Sequence, residues 1–90
     1  MSADLLIAID VGNTRIKWGI RDGGAWRAQG AFPTAEIDRL AEIAASSGWP
    51  AGVPVYACNV AGAKIEQSIN TALSDRFSPP RWLRASTEAC

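Results

Sequence analysis

Residues 5–9 form an unbroken apolar run, the pattern of a central strand covered on both faces, and Asp10 follows at its carboxyl end. From residue 14 to 21 the chain alternates instead. Ile16, Trp18 and Ile20 share one face while Arg15, Lys17 and Arg21 share the other, which predicts a half-exposed second strand. Asp22-Gly23-Gly24 then signals a hairpin, because glycine accepts the positive φ that short primed turns require. Residues 25–32 read as a third strand that completes a meander.

The period changes after Phe32. Pro33-Thr34 opens a helix with Thr34 as the N-cap candidate, Glu36 near the positive end of the dipole, and an apolar stripe of Ile37, Leu40, Ala41 and Ala44. Gly48 and Pro50 end it. Residues 53–58 form a short apolar strand, with Pro54 near its start where a missing ladder donor is tolerated. A second helix is expected from about residue 62 to 77, where Ile65, Ile69, Ala72, Leu73 and Phe77 recur at helical spacing. Residues 81–85 suit a fifth strand, and Ser86-Thr87-Glu88-Ala89 resembles the cap and first turn of another helix. The order β-β-β-α-β-α-β is that of an α/β mixed sheet with helices, whose later strands pair in parallel through helical crossovers. Ligands of such sheets sit beyond the carboxyl ends of the strands, where Asp10 and the Gly12-Asn13 turn fall.

Ninety residues supply one small core, and 48% hydrophobic residues make it an ordinary globular one. Nine basic and nine acidic residues cancel and are scattered, so nucleic acid is not an expected partner. The apolar run near the N-terminus is too short for a membrane span or a signal-peptide core, and Asp4 replaces the basic start of a signal, so a cytoplasmic location without membrane association is expected. Histidine is absent, which removes Ser-His and Cys-His nucleophile pairs and histidine-ligated zinc. Cys58 and Cys90 lack metal-ligand spacing.

The chemistry concentrates in Asp10, Val11, Gly12, Asn13, Thr14, Arg15, Ile16 and Lys17. A carboxylate at the end of a buried strand needs a partner, and magnesium is a natural one because it commonly takes one or two carboxylates plus substrate phosphates. Gly12 lets backbone and phosphate approach closely, and neighbouring N–H groups form an anion-binding concavity. Asn13 and Thr14 add side-chain donors, and Lys17 brings an ammonium on the face opposite Ile16 and Trp18. Together these groups suit phosphoryl transfer. Gly-Asn between strands is equally a common hairpin turn, with Asp or Thr bonded to local backbone. Neither a Walker loop nor a Gly-x-Gly-x-x-Gly fingerprint occurs, so spacing alone leaves both readings open.

The stretch Ile9-Asp10-Val11-Gly12-Asn13-Thr14-Arg15-Ile16-Lys17-Trp18-Gly19 closely resembles the first phosphate motif of type III pantothenate kinases, members of the actin-like ATPase superfamily that also holds acetate and sugar kinases. Ala57-Cys58-Asn59-Val60-Ala61-Gly62 is similar to that family's short strand-to-helix segment. The resemblance implies a ribonuclease H-like or actin-like ATPase half-domain and ATP-dependent phosphorylation of pantothenate at its 4′-hydroxyl, the first step toward coenzyme A. It also implies that Asp10 organises magnesium and the transferred phosphoryl group, and that residues 10–17 hold the ATP phosphates. A monovalent cation, potassium or ammonium, and a homodimer are implied with it. The family's later Gly-x-Asp-Arg segment, which carries its general base, and its second ATP-binding domain are not found in these residues. The resemblance therefore covers roughly the first third of the enzyme, and the chain alone is expected to be inactive. Relatives called Bvg accessory factors share the motif, so a transcriptional regulator is an alternative, as is another small-molecule kinase of the superfamily.

Other residues carry less chemistry. Asp75-Arg76 lacks the glycine of the catalytic segment and reads as a solvated helix-end pair. Trp18 and Trp26 lie in strand patterns and are expected to be buried. Cys58 reads as a small core residue, and Asn59 as a cap of the following helix or a group facing the phosphate cleft.

Overall fold

The computed structural model describes residues 4–83. Three antiparallel strands, β1 (Leu5–Val11), β2 (Arg15–Asp22) and β3 (Ala25–Pro33), open the chain. A 3₁₀ segment (Thr34–Arg39) leads into α1 (Leu40–Ser46), followed by β4 (Val55–Asn59), α2 (Ala63–Leu73) and β5 (Arg81–Leu83). The sheet order is β3-β2-β1-β4-β5, with β4 parallel to β1 and β5 parallel to β4. The expected β-β-β-α-β-α-β mixed sheet is therefore present through Leu83. The continuation of β5 and the helix cap at residues 86–89 lie outside the described residues.

One face of the sheet makes the core. Ile7, Ile9 and Val11 of β1 lie beside Ile20, Trp18 and Ile16 of β2 on one side and Val55 and Ala57 of β4 on the other. Leu40 and Ala44 of α1, with Ile69 and Leu73 of α2, cover that layer. Each fully buried Ile, Leu or Val there contributes about 1.5–3 kcal/mol by leaving water. The opposite face presents Ala8, Asp10, Lys17 and Tyr56, of which none is buried. This corrects the expectation for residues 5–9: the unbroken apolar run is covered fully on one side only, among the described residues. Its strand also continues past Asp10 to Val11.

The β2–β3 connection follows its glycines. Gly23 adopts φ +63°, and Asp22 pairs with Ala25 across the two-residue loop. A register shift between Ile20 and Arg21 leaves Arg27 as the extra residue of β3, so Trp26 pairs with Arg21. Trp26 is 46% exposed on the open face, with the Arg21 guanidinium 5.3 Å from its ring centre. The expected burial of Trp26 is thus corrected, while Trp18 turns inward to meet Trp49 at 5.4 Å between ring centres.

The first helix departs from expectation at its start. Pro33 occupies the N-cap position without a side-chain cap bond, and Thr34–Arg39 winds as 3₁₀ before α-geometry begins at Leu40. The 3₁₀ winding and a kink at Glu36 (φ −103°, ψ 31°) rotate the apolar stripe, so Ala41 is exposed and Ile43 packs against the core instead. The end is as expected: Trp49 N–H donates to the Ala44 carbonyl (3.0 Å) and Gly48 N–H to Ala45 (3.3 Å), with Gly48 at φ +73°. This is a Schellman closure, which delivers Trp49 into the core. α2 is shorter than its apolar spacing predicted, ending at Leu73, although Phe77 still packs on the core.

Gly30 has a packing role. A Cβ there would lie 2.5–2.7 Å from the Trp18 ring, far inside contact distance. Gly30→Ala is expected to destabilise the fold by about 1–3 kcal/mol, because the indole must leave its place against Trp49. Urea unfolding followed by tryptophan fluorescence measures this, and an unchanged midpoint with an unchanged spectrum would refute the packing role.

Candidate phosphate-binding site

β1 and β2 are joined through Gly12, Asn13 and Thr14, and their register places Asp10 directly opposite Lys17. Directly opposed residues of an antiparallel pair have Cβ atoms about 4.5–5.5 Å apart, so carboxylate and ammonium emerge side by side on the open face. Both side chains are exposed, and they form no ion pair with each other. Asp10 is therefore not the desolvated carboxylate that its place at the end of an apolar strand predicts, since its side chain is exposed. What commends it as a cation ligand is that its oxygens are accessible beside a phosphate-attracting amine.

Val11 and Ile16, also expected at the site, are 0% exposed and belong to the core. They have only backbone groups to offer a ligand. The Val11 carbonyl already accepts the Val60 N–H at 3.0 Å, which ties the end of β1 to the loop after β4. Arg15 is exposed and shares the open face with Lys17 by strand alternation. The structure thus gathers Asp10, Asn13, Thr14, Arg15 and Lys17 at one exposed edge, with Val11 and Ile16 anchoring them from below.

The bend between the strands is not a primed hairpin turn. Types I′ and II′ need a positive φ at one or both central residues, and no described non-glycine residue has one. Gly12 is not among the positive-φ glycines either. It is needed for close approach: its N–H donates to the Arg15 carbonyl at 2.9 Å, and an added Cβ would lie 3.0 Å from that same oxygen. Such a turn lacks the twist that makes short hairpins self-supporting, and it is held from outside. Thr34, 6% exposed, donates its Oγ1 hydrogen to the Gly12 carbonyl (2.8 Å) and its N–H to the Thr14 carbonyl (2.9 Å).

Two carbonyls are thereby turned toward Thr34. The N–H groups of Asn13 and Thr14 donate to no protein acceptor among the described residues, and both residues are exposed. Donors held in place on an exposed bend, with an ammonium nearby, can accept an oxyanion. Thr34 is the site residue that sequence reasoning missed. A threonine after proline signals a helix cap, and nothing in the spacing pointed to a partner 22 residues away.

Asn59 is settled differently from either expectation. Its Oδ1 accepts the Ala61 N–H and its Nδ2 donates to the Gly62 carbonyl, both at 2.8 Å, so the side chain closes its own loop. α2 has Gly62 at its N-cap with φ +110° and no side-chain cap. An open groove of about 340 Å³ runs along the sheet face from Asp10 and Lys17 past Gly19 to Trp26, Tyr56 and Leu83. No group of three or more His, Cys, Asp or Glu side chains able to hold a metal occurs among the described residues. A lone exposed carboxylate fits magnesium that arrives with phosphate ligands of its own, and does not make a self-sufficient protein cage.

A family model described as type III pantothenate kinase matches residues 6–90. The chain belongs to the type III pantothenate kinase family. The type III pantothenate kinase of Aromatoleum aromaticum is 45% identical over 86 residues, covering 96% of this chain and 35% of that protein. That of Dechloromonas aromatica is 41% identical over 70 residues, covering 78% of this chain and 29% of its own length. The chain therefore spans about a third of the curated family members it matches. Among solved structures, the Aquifex aeolicus PPX-GPPA enzyme superposes with a TM-score of 0.50 at 9% identity, covering 89% of this chain and 36% of that one. That likeness concerns fold alone, and it marks the sheet as an α/β actin-like half-domain. No helix among the described residues is long and apolar enough to cross a membrane.

Proposed function

We propose that this chain is the phosphate-binding N-terminal part of an enzyme that transfers the γ-phosphoryl group of ATP to the 4′-hydroxyl of pantothenate, the first step toward coenzyme A. The observation that carries the reading is the bend at residues 12–14: externally braced, with exposed N–H donors beside Asp10 and Lys17, in a chain of this kinase family. Asn13 and Thr14 bind phosphate oxygens through backbone and side-chain donors. Lys17 neutralises charge that builds on the phosphoryl oxygens during transfer. Asp10 would hold magnesium, which would supply positive charge to offset that of the phosphate oxygens. Most of the catalysis asked of these residues is positioning and electrostatics. The general base belongs to the Gly-x-Asp-Arg segment, which these residues do not contain, so the chain by itself binds without turning over.

A potassium or ammonium requirement and a homodimer belong to the same reading, with no ligand set assigned to them here. The test is an acceptor screen on the full-length protein with ATP, magnesium and potassium. 4′-Phosphopantothenate is the expected product, identified by mass spectrometry. Phosphorylation of a sugar or a short carboxylic acid in its place would reassign the substrate while keeping the phosphate site, and no ATP consumption with any acceptor would remove the kinase assignment.

A further inference from the structure

We infer that Thr34 is a positioning residue for nucleotide binding: its hydroxyl, bonded to the Gly12 carbonyl, fixes the direction in which the Asn13 N–H points. The inference rests on the phosphate-binding reading of that bend and goes further by naming the group that shapes it. Three bonds define the bend, and two of them end on Thr34. The third, from Gly12 N–H to Arg15, closes the base of the loop without fixing the orientation of the peptide planes above it. The 12–13 peptide is fixed at its carbonyl by the Thr34 hydroxyl, and a fixed carbonyl fixes the N–H on the opposite edge of the same planar unit, that of Asn13. The Thr34 N–H holds the Thr14 carbonyl and with it the 14–15 peptide, so the bend is pinned on both sides of the 13–14 peptide.

The location of Thr34 suits this work. It is the first residue of the 3₁₀ segment, immediately after β3, and its side chain is more than nine-tenths buried. A buried hydroxyl must find an acceptor for its proton, whereas a threonine that caps a helix uses its oxygen to accept an N–H of its own first turn. Here no such cap bond forms, and the hydroxyl reaches a carbonyl on another strand connection. The 3₁₀ segment is thereby coupled to the phosphate bend, and movement of one shifts the other.

The experiment compares Thr34→Val, nearly the same shape without the hydroxyl, with Thr34→Ser, which keeps it, in the full-length protein well below its unfolding temperature. Thr34→Val is expected to raise KM for ATP about five- to tenfold with KM for pantothenate little changed, and Thr34→Ser to stay within about twofold of the parent. A valine variant whose thermal midpoint falls but whose KM for ATP is unchanged would reduce Thr34 to a structural tether and overturn the inference. So would a serine variant as impaired as the valine one. Thr34→Ala, which removes the hydroxyl without adding a methyl, takes the place of valine should that variant fail to fold. Asp10→Asn and Lys17→Ala are measured alongside. If they lose ATP affinity or turnover while Thr34→Val does not, only the positioning role fails; if they behave as the parent, the phosphate reading itself fails and the inference falls with it.

Discussion

Asp10→Asn in the full-length protein is expected to lower kcat/KM for ATP about a thousandfold while leaving the thermal midpoint unchanged. The carboxylate is exposed, makes no ion pair among the described residues, and packs against nothing that asparagine would vacate. Stability therefore has little to lose. Activity has much to lose, because a hard divalent cation prefers an anionic oxygen and Asp10 is the carboxylate that the strand register sets beside Lys17. The magnitude follows the usual cost of deleting one group that stabilises charge developing in a transition state, about 10²–10³, raised by the loss of a full charge. Steady-state kinetics across a magnesium titration check it, and part of the loss should be recovered at high magnesium. A decrease of less than about tenfold, or one that magnesium does not touch, would remove Asp10 from the metal role.

The parts of the fold that were legible in the chain are those where local rules and the final packing agree. Ile16, Trp18 and Ile20 alternate and do face the core, and Gly23 does adopt the positive φ of the hairpin that its sequence announces. Gly48 ends α1 in the way its position indicates. The misread parts each depend on something distant. Thr34 has the chemistry of an N-cap, yet a carbonyl 22 residues away captures its hydroxyl, and the helix begins as 3₁₀. Burial of Trp26 turns on which face is covered and on the extra residue in β3, neither of which has a local signal.

The candidate site divides along the same line. Asp10, Gly12 and Lys17 could be picked out because strand alternation dictates their faces and glycine marks the bend. The cross-strand register that sets Asp10 against Lys17 required knowing that β2 folds back directly on β1. Val11 and Ile16 fell within the same motif, but alternation sends them to the other side, where they carry the core under the site. A contiguous motif is thus two layers, one exposed at the candidate site and one buried beneath it that holds it up.

Lys17→Ala is expected to lower kcat/KM for ATP about a hundredfold, with a smaller loss for Lys17→Arg. The ammonium projects from the strand face opposite Ile16, in register with Asp10 on one neighbour and Ala31 on the other. An exposed lysine head contributes little to folding, so the loss should fall on nucleotide chemistry. Arginine restores the charge but spreads it over a planar fork, which recovers attraction to phosphate without the compact point charge of an ammonium. The double variant with Asp10→Asn discriminates further. If the two groups act on the same phosphate oxygens, one directly and one through magnesium, their effects are coupled and the double loss should be smaller than the product of the single losses. Losses that multiply independently would place Lys17 on another part of the substrate, and an alanine variant as active as the parent would exclude it from the site.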